Sequence, residues 1–181
     1  MQIRVVLVDD HQLFRHALRT MLEKQPDIAV VGEAGDGMEM LKLVADVDAD
    51  VVCMDIGMPH MYGIEATRRL LALKPAVKVI GLSAFTDRDY VVDMLKAGAA
   101  GYVTKSETGE ELLRAIHCVR LNKKYLCPEV ATSVIGDGRA AYRDFPPLQK
   151  AAVYLRKHRY HLRFWLANKL GQFGVSFRPG D

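Results

Sequence analysis

Over its first two-thirds the chain repeats one arrangement five times: a short apolar run, a connection, then apolar residues at helical spacing. Ile3–Val8 is rich in β-branched residues and suits a strand buried on both faces. Leu13, Ala17, Leu18, Met21 and Leu22 then recur at helical intervals until Pro26 stops the pattern. Further strands are predicted over residues 28–33, 51–54, 77–82 and Gly101–Thr104. Helices are predicted over 39–44, 64–73, 90–97 and 107–121, with Gly35-Asp36-Gly37 and Gly57-Met58-Pro59 as connections and Gly98 as a cap. Right-handed crossovers leave few ways to assemble five β-then-α units. The expected fold is α/β, a doubly wound five-stranded parallel sheet, with a small helical C-terminal extension.

The 181 residues suffice for one domain of ordinary size and something smaller. Half of them are hydrophobic and 26% are charged, a globular composition. No apolar run approaches the roughly 20 residues of a membrane-spanning helix, so no membrane partner is expected. MQIRVVLVDDHQ ends its apolar run in two aspartates and reads as a strand rather than a signal peptide. Cys53, Cys118 and Cys127 are odd in number and lack CxxC spacing, which points to a reducing, cytoplasmic setting. Charge is uneven. Residues 1–128 hold 16 Lys+Arg against 18 Asp+Glu, a balance of −2, whereas residues 129–181 hold 9 against 4, a balance of +5.

Open parallel sheets bind ligands beyond the carboxyl ends of their strands. The side chains expected there are Asp9 and Asp10 after the first strand, Asp55 after the third, Ser83 after the fourth and Lys105 after the fifth. Three adjacent carboxylates repel one another, and a hard divalent cation relieves that repulsion while bridging to phosphate oxygens. Mg²⁺ suits such oxygen ligands, and a carboxylate held in line with a phosphoryl donor can accept its phosphorus. Lys105 would pair with the phosphoryl oxygens as a point charge, and Ser83 would donate a hydrogen bond to one of them. Singly, Asp10 reads as a helix N-cap, Asp55 as a turn residue, Lys105 as a solvated charge and Ser83 as a strand-end hydroxyl. Their convergence on four strand ends favours the chemical reading.

VLVDDH, VVCMDIGMPHMYGIEATRRL, VIGLSAF and AGAAGYVTK resemble the receiver domain of two-component response regulators, in particular the NarL/LuxR-type subfamily. The resemblance covers about residues 1–128. It implies a flavodoxin-like fold in which Asp55 receives a phosphoryl group from a sensor histidine kinase. It further implies that Asp10 binds Mg²⁺ directly, Asp9 acts through a bound water, and the Gly57 carbonyl completes the protein ligands. Ser83 stands at the family's Ser/Thr switch position, Tyr102 at its switch aromatic, and Lys105 at its conserved lysine. Tyr62 departs from the small acidic or polar residue usual at that place. On the same resemblance, phosphate draws Ser83 towards the site and lets Tyr102 turn inward, with dimerisation or release of the tail as output. His11 is expected to shape the first helical turn, and Met38, Met40, Met54, Met58, Met61 and Met94 to pack. An enzyme reading is disfavoured, because phosphatases of the haloacid-dehalogenase type want an acid two residues after the nucleophile and position 57 is glycine.

The expected division is a receiver over 1–125, a linker over 126–138 and an atypical basic tail over 139–181. The subfamily normally ends in a four-helix DNA-binding domain whose recognition helix enters the major groove. The 53 residues from 129 onward are short for that, and only LANKL, followed by Gly171, echoes a scaffold helix and its turn. Three readings stay open: a divergent DNA-binding element, a truncated or frame-shifted remnant of a transcription factor, and a basic amphipathic helix with another role. DNA is therefore a candidate partner without a recognisable recognition helix. The alternative function is a stand-alone receiver acting in phosphorelay or protein interaction.

Overall fold

The computed structural model describes residues 2–84 and 86–135. Six strands and six helices alternate: β1 (Ile3–Val8), α1 (Gln12–Leu22), β2 (Ile28–Ala34), α2 (Gly37–Asp46), β3 (Val51–Asp55), α3 (Gly63–Leu73), β4 (Lys78–Ser83), α4 (Arg88–Lys96), β5 (Gly101–Thr104), α5 (Glu110–Arg120), β6 (Tyr125–Leu126) and α6 (Pro128–Ile135). A single 3₁₀ turn, Lys105–Glu107, separates β5 from α5. The strands form one sheet in the order β2-β1-β3-β4-β5-β6, and every pair is parallel.

The β-branched runs become the centre of this sheet. Val5, Val6, Val51, Val52, Val79 and Ile80 are fully buried, as strands covered by helices on both faces require. Leu18 and Leu22 of α1, Met40 and Val44 of α2, Ala66 and Leu70 of α3, and Leu112, Ile116 and Val119 of α5 supply the covering side chains. The helix starts are locally encoded. Asp36 accepts from Glu39 N at 2.8 Å while the Glu39 carboxylate reaches back to Gly35 N, a reciprocal cap that makes Gly37 helical instead of part of the expected turn. Gly98 ends α4 with φ +106°, a conformation that favours glycine.

Two features correct the expectation. The sheet has six strands, not five, because Tyr125 N donates to Ala100 O and Cys127 N to Tyr102 O, which extends the sheet past β5. Residues expected as linker then fold as α6, which packs on α4 and β5. Met38 also differs from the other methionines read as packing, being 45% exposed, whereas Met40, Met54, Met58, Met61 and Met94 are buried. The basic tail, 139–181, lies outside the described residues.

Candidate functional site

The switch point of this sheet lies at β1, which pairs with β2 on one side and β3 on the other. Asp9 leaves β1 and Asp55 ends β3, so two neighbouring strands deliver two carboxylates to one place. Asp9 accepts from His11 N at 2.9 Å, and Arg15 of α1 donates to the Asp9 carbonyl. Arg15 and Arg19 also reach Glu33 on β2, at 3.4 and 2.7 Å, so α1 is tied to the strand ends around Asp9. The Arg19 hydrogen bond holds the Glu33 carboxyl below the usual carboxylate range.

Lys105 leaves β5, two strands beyond β3, and its long side chain returns across the strand ends. Its Nζ stands 2.6 Å from Asp9 Oδ2 and 3.0 Å from Asp55 Oδ2, and 4.9 Å from the centre of the Phe14 ring. Asp9 Oδ2 is buried without a well-aligned hydrogen bond, so the ammonium compensates it chiefly by charge. Burial pushes the Asp55 carboxyl above the ordinary carboxylate range; Lys105 opposes the shift and the Asp9 charge adds to it. Gly57 N donates to Asp55 Oδ1 at 3.2 Å, and no atom crowds the place of a Cβ at 57.

Asp10 is the accessible member, with 31% of its side chain exposed against 1% for Asp9. It is not the N-cap of α1; that residue is His11. Potential ligand atoms of Asp9, Asp10, His11 and Asp55 all lie within 4.8 Å of one another. Three carboxylates against the Lys105 ammonium leave an excess of negative charge, and one buried oxygen is poorly satisfied. This donor set fits a hard divalent cation.

Ser83 and Tyr102 lie deeper on one face of the sheet. Ser83 is buried, Tyr102 is fully buried, and their side chains are hydrogen-bonded. Burial raises the tyrosine phenol to about 12, with the Ser83 bond pulling the other way. The expectation that Tyr102 turns inward as phosphate arrives needs correction, because the ring is already inside. No pattern in the sequence singles out Phe14 or Arg15, or sets His11 among the acids. Nor does any pattern single out Gly63: a Cβ there would stand 2.0 Å from the Asp55 carbonyl oxygen, so only glycine lets α3 start against the end of β3.

The family of the response regulator receiver domain matches residues 5–117. The chain belongs to that family. It is 39% identical over 138 residues to the transcriptional regulatory protein DegU of Brevibacillus brevis, covering 76% of this chain and 58% of DegU. The response regulator GacA of Pseudomonas aeruginosa is 34% identical over 168 residues, covering 92% of this chain and 76% of GacA. A match of that length runs beyond α6 into the basic tail. A two-component response regulator of the LuxR family from Aurantimonas superposes with TM-score 0.72 at 33% identity, covering 75% of this chain and 97% of that structure. This is a receiver of the NarL/LuxR type, with the flavodoxin-like fold, and no helix among its described residues is long and apolar enough to cross a membrane.

Proposed function

We propose that this receiver accepts a phosphoryl group from a sensor histidine kinase on Asp55, and that the modification regulates transcription through a change of conformation. One observation carries the proposal: Lys105 bridges Asp9 and Asp55 at the carboxyl ends of adjacent strands, beside an exposed Asp10. A bound Mg²⁺ would supply charge neutralisation for the transferring group. Asp10 would hold it directly, Asp9 through a water, and Asp55 and the Gly57 carbonyl would complete the protein donors.

Asp55 acts as nucleophile. A carboxylate oxygen forms the new bond to phosphorus as the bond from phosphorus to the donor histidine breaks, and the electron pair of that bond leaves with the imidazole. Burial disfavours the ionised form that this attack needs, and Lys105 counters that by its positive charge. Once the acyl phosphate forms, the Lys105 ammonium has a new anion within reach. Ser83 is hydrogen-bonded to Tyr102 before that event. A phosphoryl oxygen competing for the Ser83 hydroxyl loosens the hold on an already buried ring, and the balance between ring positions shifts. Tyr102 passes this on directly, since its carbonyl accepts from Cys127 N at the entrance to α6.

The test is chemical. A small phosphodonor with Mg²⁺ should add one phosphoryl mass to wild type and none to Asp55→Asn, and hydroxylamine should remove it. Equal labelling of both proteins would overturn the assignment. A division between the receiver and the basic tail (139–181), a homodimeric state and contact with DNA belong to the same proposal. The extension of the GacA match into the tail supports descent of the tail from a response regulator that continues past its receiver.

A further inference from the structure

His11 touches both members of the acid pair, with its backbone and with its ring. Its backbone N–H donates to Asp9 Oδ1 at 2.9 Å. Its ring Nδ1 stands 2.8 Å from Asp10 Oδ1 and 3.3 Å from Asp9 Oδ1. Of these approaches only the backbone one is aligned as a hydrogen bond; the ring nitrogen meets the carboxylates by proximity, as a polar neighbour that can carry a proton. One residue therefore engages the Oδ1 atom of each carboxylate and leaves each Oδ2 free of it. The position of His11 makes this possible. It is the N-cap of α1, with extended φ −87° and ψ 96°, so its N–H lies outside the helical ladder and its side chain turns back towards the strand end.

Other accounts of His11 are weaker. It makes no side-chain capping bond to α1, so it does not stabilise the helix as Asp or Ser would. Its ring is 57% exposed, and a pairing that open contributes little to folding. What the ring does meet is Asp10, whose side chain is partly exposed. Groups that orient a ligand from outside the coordination sphere commonly control metal affinity.

We propose that His11 is a positioning residue for the divalent cation: its ring, with Nδ1 2.8 Å from Asp10 Oδ1, restricts the Asp10 carboxylate from that side, so that Oδ2 is presented to the ion. This rests on the proposed cation site. It predicts a defect in cation binding carried chiefly by the Asp10 arm, because replacement of the side chain removes the closer ring approach, to Asp10, and leaves the backbone bond to Asp9 in place.

The probe is Mn²⁺, which shares the oxygen preference of the site and is visible by electron paramagnetic resonance. Its dissociation constant is measured on the full chain for wild type, His11→Ala, His11→Asn, Asp10→Asn and His11→Ala with Asp10→Asn. His11→Ala should weaken binding about tenfold. His11→Asn, whose amide can place a donor where Nδ1 stood, should return most of that loss. In the Asp10→Asn background, His11→Ala should cost nothing more, since the residue it positions is already changed. Melting temperatures should be alike across the His11 variants. Wild-type affinity in His11→Ala would overturn the inference and leave the cation site standing, and so would an undiminished loss in the Asp10→Asn background. Nitrogen hyperfine coupling from an imidazole bound to Mn²⁺ would overturn it in favour of direct ligation. Absence of Mn²⁺ binding by wild type would remove the site and the inference together.

Discussion

Gly81 and Tyr102 face each other across β4 and β5, and the tyrosine ring lies where a side chain at 81 would project. A Cβ on Gly81 would stand 3.3 Å from Tyr102 Cδ2 and 3.0 Å from Met94 Cγ. The missing side chain is therefore what lets the ring lie against the sheet, within reach of Ser83. Gly81→Val should force Tyr102 and Met94 aside, at a cost of about 1–3 kcal/mol for overpacking. Near-ultraviolet circular dichroism should show the tyrosine environment altered, and urea unfolding should give the energy. An unchanged spectrum with full stability would mean the ring is not held there.

A carboxyl whose pKa rises on folding binds more protons in the folded chain than in the unfolded one, between its two pKa values. Its contribution to stability is complete below the unfolded value and declines as pH rises through the folded value. Burial puts Asp55 in this class. Asp55→Asn removes the charge but keeps the shape, so it should melt higher than wild type at pH 7.5. The gap should close towards pH 4. A wild type that is the more stable protein at pH 7.5 would show that pairing with Lys105 outweighs desolvation.

Gly63 is fixed by backbone, which cannot swing away as a side chain can. Gly63→Ala places a methyl carbon against the Asp55 carbonyl, so α3 must retreat or the end of β3 must bend. We expect a loss of at least about 3 kcal/mol, together with slower labelling of Asp55 by a small phosphodonor. Denaturant unfolding and intact-mass kinetics measure the two effects. Wild-type values in both would contradict the close approach.

The parallel order and the positions of Asp9, Asp55 and Lys105 were legible in the sequence because each rests on a repeating signal: apolar runs mark strands, and the polar residues at their ends mark the site. The register of β5 to residue 104 followed from Gly101 and the lysine after the run. β6 was not legible, since two residues in KKYLCP carry no period. The start of α6 did have a signal, Pro128 at the first helical position with Glu129 behind it, although both stand within the expected linker. The ring of His11 could not be placed at all. It follows a strand end in a turn, where neither period applies, and the cap geometry alone decides which way it points.

For the basic tail the expectation comes from charge. Residues 129–181 carry a balance of +5 and no recognisable recognition helix. DNA affinity should therefore be non-specific and fall steeply with salt as counterions are released less favourably. Competition between promoter fragments and random duplex at two salt concentrations, with and without residues 129–181, measures this. A specificity ratio of roughly 10³ or more at physiological salt would instead identify a divergent reader of sequence.

β6 has a consequence for where the chain can be cut. Without Tyr125 and Cys127, the outer side of β5 would present the free carbonyls of Ala100 and Tyr102, an open flank next to apolar β-branched strands. Fragments that stop at the end of α5 would keep every residue of the acidic site and still be prone to pair edge to edge with one another. In such a fragment self-association would be a property of the cut, and a dimer seen there would say nothing about signalling.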